Sequence, residues 1–552
     1  MRIREAGDSA LLLELEAVID AQVNAQAIAA AQAMRDASID GVRDVVSTYR
    51  SVAVYFDPLR ADASVVRTAL ERASHARGTT AAGRTIEVPV VYGGDAGPDL
   101  AEVAAFAGLS VDAVVERHAG AEYRVFLLGF LPGFAYMGAV PQAIAAPRRA
   151  TPRLRVAAGS VGIAGPQTAV YPRDSPGGWQ IIGRTALQVF DPEKSPAALF
   201  APGDTVRFVA TTNHQPPTAS DRPPATSHPP AVSGSPVRRS LGGGGSRTVT
   251  VLRPGLFTTI QDAGRWGHQS SGVPVSGAVD LVSHRTANAL VGNAPEAATI
   301  EATLIGPELR VDAVATIAVT GADLGATLDG APMALHAPLR CRPGSTLQFS
   351  ERRAGARAYV AFDGGIAVPP VLGSRATHAV AGLGGFDGRP LAAGACLPLA
   401  PSSSPPARQR LDLPRAAGGG VRVRVVPGPQ DDWFPDEAFE LLQRQRFRVS
   451  AHSDRMGYRL QGGRIPRLPD REMISDATFP GAIQVPGSGE PIVLMADRQT
   501  TGGYPQIGVV ITADLPLAAQ LAPGDWIEFQ VCTRSEALAA LVAQEGKLLA
   551  IQ

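Results

Sequence analysis

Lysine is almost missing from this 552-residue chain: of 51 basic residues only Lys194 and Lys547 are lysine, and the others are arginine. Neither stands in a G-x-x-x-x-G-K-[ST] pattern, which excludes a Walker A loop, and neither lies in a Met-Lys-Met setting, which excludes biotin attached to this chain. A phosphate or carboxylate clamp must therefore come from arginine, backbone N–H groups or a bound metal. Cysteine is equally sparse. Cys341, Cys396 and Cys532 are isolated and odd in number, so a disulfide framework and a CxxC metal pair are both excluded, and the usage suits a reducing compartment. No run reaches the ~18 apolar residues of a membrane helix, and the N-terminus from Met1 to Asp8 lacks a signal-peptide core, so the expected location is the cytoplasm. Charge of either sign is not in excess. With 51 acidic residues against 51 basic ones, nucleic acid and membrane surfaces are poor electrostatic partners, which leaves small molecules or other proteins. H-E-x-x-H, G-x-S-x-G and a helix-opening G-x-G-x-x-G are also missing.

What is present is a repetition. Gly177-Gly178-Trp179-Gln180-Ile181-Ile182-Gly183 returns as Gly502-Gly503-Tyr504-Pro505-Gln506-Ile507-Gly508. Each copy precedes a matching segment, Pro202-Gly203-Asp204-Thr205-Val206-Arg207-Phe208 and Pro523-Gly524-Asp525-Trp526-Ile527-Glu528-Phe529, so the repeated object is a fold unit. A fainter echo, Pro343-Gly344-Ser345-Thr346-Leu347-Gln348-Phe349, predicts a third closing strand without the diglycine partner. Between the copies, residues 211–246 are Pro, Ser, Thr and Gly without apolar period, a linker spanning roughly 30–35 Å that suits two proteins fused after the fact.

Length predicts several domains. The expected class is β-rich α+β: a small α/β domain over 1–80, a barrel over 84–210, a first barrel domain of the second half over 247–405, a second barrel over 420–535 and a C-terminal helix over 536–552. Apolar periodicity predicts helices at 20–37, 63–73, 99–107, 111–119 and 280–290, and a period-2 strand at 421–426.

Candidate chemistry follows the glycines and arginines. Ser175, Gly177, Gly178 and Trp179 form either a Pro-Gly hairpin with a core Trp or a loop whose N–H groups approach a ligand. Gln499, Thr500, Gly502, Gly503 and Tyr504 offer the same choice with more polar dress. Arg148, Arg149, Arg153 and Arg155 ahead of Ser160 form either a solvated basic face or an anion clamp. Phe134, in Phe130-Leu131-Pro132-Gly133-Phe134-Ala135-Tyr136, lines a pocket or fills the core. Asp262 with Arg265, and Asp454 with Arg455, are local salt bridges or substrate clamps. The catalytic set so expected is Asp262, Arg265, Asp454 and Arg455. The binding set is Phe134, Arg153, Ser160, Gln167, Ser175, Gly177, Gly178, Trp179 and Arg184 in the first half, with Gln484, Gln499, Thr500, Gly502, Gly503 and Tyr504 in the second.

These blocks resemble a known pair of families. Phe130 to Phe134, Gly159-Ser160-Val161-Gly162-Ile163-Ala164-Gly165 and Ser175 to Trp179 are similar to the B component of 5-oxoprolinase, also called the Kip inhibitor or allophanate hydrolase subunit 1 family. Gln261 to Arg265, Ser276-Gly277-Ala278-Val279-Asp280, Ala287 to Asn293 and Val371-Leu372-Gly373-Ser374-Arg375 are similar to the C component, the Kip antagonist or allophanate hydrolase subunit 2 family. The resemblance implies cyclophilin-like barrels and a part in ATP-dependent opening of 5-oxo-L-proline to L-glutamate, with the 5-oxoprolinase A component as a separate partner. It also implies ATP, with Mg²⁺, as cofactor, and leaves self-association open. Two other roles remain alongside it: a binding protein acting on a histidine kinase, and a carboxyltransferase using biotin carried by another chain.

Overall fold

Each diglycine copy leads from a two-stranded ribbon into a closed seven-stranded barrel, and the two barrels are built alike. In chain order the first barrel uses Thr85–Tyr92, Glu122–Leu128, Ala135–Gly138, Ser160–Ala164, Gln167–Val170, Gln180–Arg184 and Thr205–Ala210. The second uses Gly420–Pro427, Phe447–Val449, Gly457–Gln461, Ala482–Gln484, Ile492–Leu494, Gln506–Val510 and Trp526–Val531. Spatial neighbours correspond strand for strand. In each the first and last strands run parallel, Thr85 opposite Thr205 and Gly420 opposite Trp526, with every other pairing antiparallel. The repeated Pro-Gly-Asp turns aim the closing strands: Gly203 and Gly524 adopt φ +95 and +90, a left-handed conformation that glycine reaches without a Cβ penalty. Closure leaves no free sheet edge to manage.

This computed structural model describes residues 1–76, 83–212, 247–402, 419–469, 471 and 473–550; the predicted linker, from residue 213 on, lies outside them. The N-terminal domain is a four-stranded antiparallel sheet covered by helices Ala21–Asp36 and Ala63–Ala73. Asp20 and Asp62 cap these helices by accepting N–H groups of their first turns. Helices Leu100–Ala107 and Val111–Ala119 flank the first barrel, and Arg534–Leu549 ends the described chain with a capping box between Thr533 and Glu536.

The expected barrel over 247–405 is corrected. Its strands form a six-stranded sheet and a five-stranded sheet, joined by one core that includes Val249, Ile300, Val319, Leu347 and Phe362. The faint echo does become a strand, Thr346–Phe349, after a left-handed Gly344, but it pairs within the open six-stranded sheet. Closure depends on pairings between distant strands, and alternation alone does not specify them.

The two halves interlock. The N-terminal sheet packs Leu12, Val46 and Tyr55 against Ala477, Phe479 and Val509 of the second barrel. Buried polar contacts cross the same boundary: the Tyr55 hydroxyl donates to the Thr478 carbonyl at 2.8 Å, and Asp44 accepts the N–H groups of Gly267 and Gln269 at 3.0 Å each.

Candidate active site in the second barrel

At the end of the second barrel lies a cavity of about 210 Å³ lined by His452, Asp454, Met456, Gly457, Arg459, Thr478, Gln484, Ile492, Leu494, Gln499, Thr501, Gly502 and Tyr504. The second diglycine hairpin therefore opens onto it. A Cβ on Gly502 would stand 2.7 Å from Gln484 Nε2, so a larger residue there would displace that amide. The small size of Gly502 lets the Gln484 amide lie across the cavity wall. Gln484 Nε2 is buried and has no hydrogen-bond partner among the described residues, and the buried Thr501 hydroxyl stands beside that of Tyr136. Leaving such a group unmade costs about 1–3 kcal/mol, which makes Gln484 Nε2 the wall's candidate donor to a polar ligand.

The rim carries charge. Asp454 is exposed, and its Oδ1 accepts the N–H groups of Met456 and Gly457, which shapes the turn before strand Gly457–Gln461. Arg459 is exposed on that strand, with a guanidinium that makes no ion pair among the described residues, and His452 stands on the same rim. Thr478 ties the wall together, since its hydroxyl donates to the Gln499 carbonyl while its own carbonyl holds Tyr55 of the N-terminal domain.

Of the expected residues, the cavity unites Asp454, Gln484, Gln499, Gly502 and Tyr504, while Thr500 and Gly503 flank it in the same hairpin. Arg455 is corrected: it points from the same loop into the interior, where it pairs with Asp497 at 2.9 Å and with Glu301. Asp262 and Arg265 are corrected as well. Asp262 accepts the Ser374 hydroxyl at 2.7 Å and the Arg375 N–H at 2.5 Å, while Arg265 donates to the carbonyls of Val371 and Ala376. They clasp the loop 371–376.

The first barrel is filled where the second is open. Phe134, Tyr136, Tyr171 and Trp179 stack edge to face with centroids 5.0–6.0 Å apart, and Trp179 is 5% exposed, so the core reading of the first hairpin holds. Gly177 again provides clearance, here for the Tyr171 hydroxyl, which a Cβ would approach to 2.4 Å; Gly178 lies beside Pro152. The basic run is consumed internally. Arg153 grips Asp99 at 2.8 and 2.6 Å, Arg149 joins it at 2.8 Å, and Arg155 pairs with Asp174. Gln167 donates to the Tyr49 hydroxyl, Arg184 donates to the Ala158 carbonyl, Ser160 is buried in its strand, and Ser175 is buried beside the hairpin. Arg149, Arg153 and Arg155 are thus paired with carboxylates, while Arg148 lies over the Trp179 ring at 5.9 Å. Among the described residues no cluster of three or more His, Cys, Asp or Glu is placed to hold a metal.

Sequence reasoning passed over Arg459, His452 and Thr501. Arg459 sits at an outward position of a strand, where an arginine reads as a solvated face, and only barrel closure turns it to a rim.

Paired barrels of one strand order, one plugged by aromatics and the other carrying a cavity, define a duplicated carboxyltransferase-type architecture. Residues 1–200 match the model for the carboxyltransferase domain, subdomains C and D, and residues 271–531 match that for subdomains A and B. The C component of 5-oxoprolinase from Escherichia coli (strain K12) is 40% identical over 302 residues, covering 54% of this chain and 95% of that protein. The B component of 5-oxoprolinase from Escherichia coli O157:H7 is 45% identical over 207 residues, covering 37% and 93%. The crystal structure of TTHA0988 superposes with a TM-score of 0.81 at 34% identity, over 96% of this chain and 100% of that one. Urea amidolyase of Saccharomyces cerevisiae is 33% identical over 302 residues, only 16% of that protein's length. The chain belongs to the family of 5-oxoprolinase B and C components, with both carried on one polypeptide.

Proposed function

We propose that this chain supplies the B and C components of a 5-oxoprolinase, which opens 5-oxo-L-proline to L-glutamate with ATP and a separate A component. The observation that carries the reading is the second-barrel cavity, small and of mixed polarity, with a buried unpartnered amide nitrogen on its wall and a guanidinium on its rim. At about 210 Å³ it falls below the ~300–1,000 Å³ of sites for drug-sized ligands, and a single-ring amino-acid derivative suits it better than a nucleotide. ATP and Mg²⁺ are assigned to the assembled complex with the A component. This chain's own part is to hold the ring.

Arg459 and His452 face the substrate carboxylate, which a guanidinium binds by charge-assisted hydrogen bonds. Gln484 Nε2 donates to the lactam oxygen. A lactam resists water because its nitrogen donates into the carbonyl, so a fixed donor at that oxygen favours the state in which negative charge gathers there. Thr501 Oγ1 takes the ring N–H, and Leu494, Ile492 and Met456 exclude bulk water around it.

Gln484→Ala is expected to lower kcat/KM for 5-oxo-L-proline tenfold to a hundredfold, about 1.4–2.7 kcal/mol, with an unchanged thermal midpoint. The measurement follows glutamate and ADP in the complex with the A component; unaltered kinetics would remove Gln484 from the site. The carboxyltransferase match keeps a second reading in view, and turnover that requires a biotinylated carrier and bicarbonate instead of the A component would select it.

A further inference from the structure

Every residue that lines the cavity belongs to the second half, yet the first half reaches one of them. Thr501 is 2% exposed and stands on the cavity wall. Its side chain lies directly on the backbone of Gly129 in the first half. A methyl group built on Gly129 would stand 1.9 Å from Thr501 Oγ1 and 2.9 Å from its Cβ and Cγ2. Gly129 is not in the left-handed region, so its backbone does not call for glycine; the space taken by Thr501 does.

The turn that presents Gly129 is over-determined. Gly129 N–H donates to the Phe134 carbonyl at 3.0 Å and Leu131 N–H to the Gly129 carbonyl at 2.7 Å, and Phe130 is held at φ +64, where a bulky side chain is rarely found. The second half grips this turn from the other side: Gly133 N–H donates to the Ser271 carbonyl at 2.9 Å, and a Cβ on Gly272 would meet the Leu131 carbonyl at 2.6 Å. Tyr136, on the strand that follows, faces Thr501 with a hydroxyl that burial pushes up to about 12, so it remains a neutral phenol.

We propose that Gly129 and Tyr136 are positioning residues of the first half that hold Thr501 in the rotamer the second-half site uses. The first barrel then acts on the neighbouring cavity while holding no substrate itself. This inference rests on the functional reading above. It also supplies a physical reason for the B and C components to act together, because the site of one is shaped by the backbone of the other.

The test is a double-mutant cycle in the full chain with the A component, using Gly129→Ala, Thr501→Ala and their combination. In the native background Gly129→Ala is expected to raise KM for 5-oxo-L-proline about tenfold while kcat changes less than about threefold. In the Thr501→Ala background the same change is expected to cost less than about twofold, because the side chain it strikes has gone. Should Gly129→Ala not fold, Tyr136→Phe serves, with KM raised about threefold and an unchanged thermal midpoint. Equal cost of Gly129→Ala in both backgrounds, or a KM that neither Gly129→Ala nor Tyr136→Phe moves, overturns the inference alone. A native complex that neither binds nor turns over 5-oxo-L-proline overturns the functional reading and the inference with it.

Discussion

Replacing Arg455 by alanine is expected to destabilise the folded chain by about 3–5 kcal/mol, the cost of stranding buried charges. The side chain is fully enclosed and serves four acceptors: both oxygens of Asp497 at 2.9 and 3.0 Å, Glu301 Oε1, and the Gly277 carbonyl at 2.6 Å. Burial works against its charge, yet Asp497 and Glu301 hold it firmly protonated. Burial alone would likewise raise the Asp497 carboxyl, but Arg455, His378 and the Ser276 hydroxyl bring it below the usual carboxylate range. Glu301 accepts the Tyr359 hydroxyl at 2.7 Å and lies near Arg357, which in turn reaches Tyr458 and the Ala519 carbonyl. These groups come from both the sheet domain and the second barrel, so the network is the joint between them. Arg455→Met, which retains length and packing, is expected to recover no more than a minor share of the loss, because Asp497 and Glu301 remain uncompensated. The measurement is denaturant unfolding followed by signals from both domains. A stable Arg455→Ala protein that has lost turnover would restore Arg455 to a catalytic role.

The same pair shows what was legible in the sequence. Asp454 and Arg455 are adjacent, and a carboxylate beside an arginine reads as one unit. In the structure they diverge from one loop ahead of strand Gly457–Gln461, Asp454 to the cavity rim and Arg455 to the joint between domains. Asp262 and Arg265 read as a clamp and do clamp, but what they hold is the chain's own Val371 to Ala376. A ligand and a loop both present carbonyls and N–H groups, so local sequence does not distinguish them. Duplication, by contrast, was fully legible. It is written in short-range features, the diglycine hairpin and the Pro-Gly-Asp turn, the latter fixing left-handed backbone at Gly203 and Gly524 without reference to distant residues.

The difference between the barrels was the harder matter. Trp179 and Tyr504 hold corresponding places in the repeat, yet Trp179 is buried and Tyr504 is 46% exposed at the cavity rim. What separates them is the surroundings: Phe134, Tyr136 and Tyr171 pack around the first, whereas Gln484, Thr478 and Thr501 stand near the second. Each of those neighbours arrives from a different strand. After duplication one barrel could fill with aromatics and gain packing while the other retained polar lining, and the filled barrel then served as a rigid support.

Acid is expected to weaken the fold through two core histidines, His118 and His284, by about 2 kcal/mol each between pH 6.5 and pH 5. His118 is wholly buried in the first barrel, with Nδ1 on the Tyr92 hydroxyl at 2.8 Å, Nε2 on the Thr168 hydroxyl at 3.1 Å, and the rings of Tyr123 and Phe208 against its faces. His284 lies in helix Leu281–Leu290, contacts Thr299 and the Pro295 carbonyl, and has Tyr359 at its edge, with Asp262, Glu301 and Arg285 at longer range. Burial depresses His118 from 6.5 to about 3 and His284 from 6.5 to about 4. Below pH 6.5 the unfolded chain therefore takes up protons that the folded chain refuses, and stability falls as pH falls. The loss levels off near pH 4 for His284 and near pH 3 for His118. Asp8, Asp44, Asp280 and Asp476, all raised by burial, act in the opposite sense, so the slope difference between native and variant chains is the quantity to read. Unfolding of the native chain, His118→Gln, His284→Gln and the double variant, measured from pH 7 to pH 5, is expected to show each substitution removing about 2 kcal/mol of the acid-dependent loss. A double variant that weakens as steeply as the native chain would show that these imidazoles are not its source.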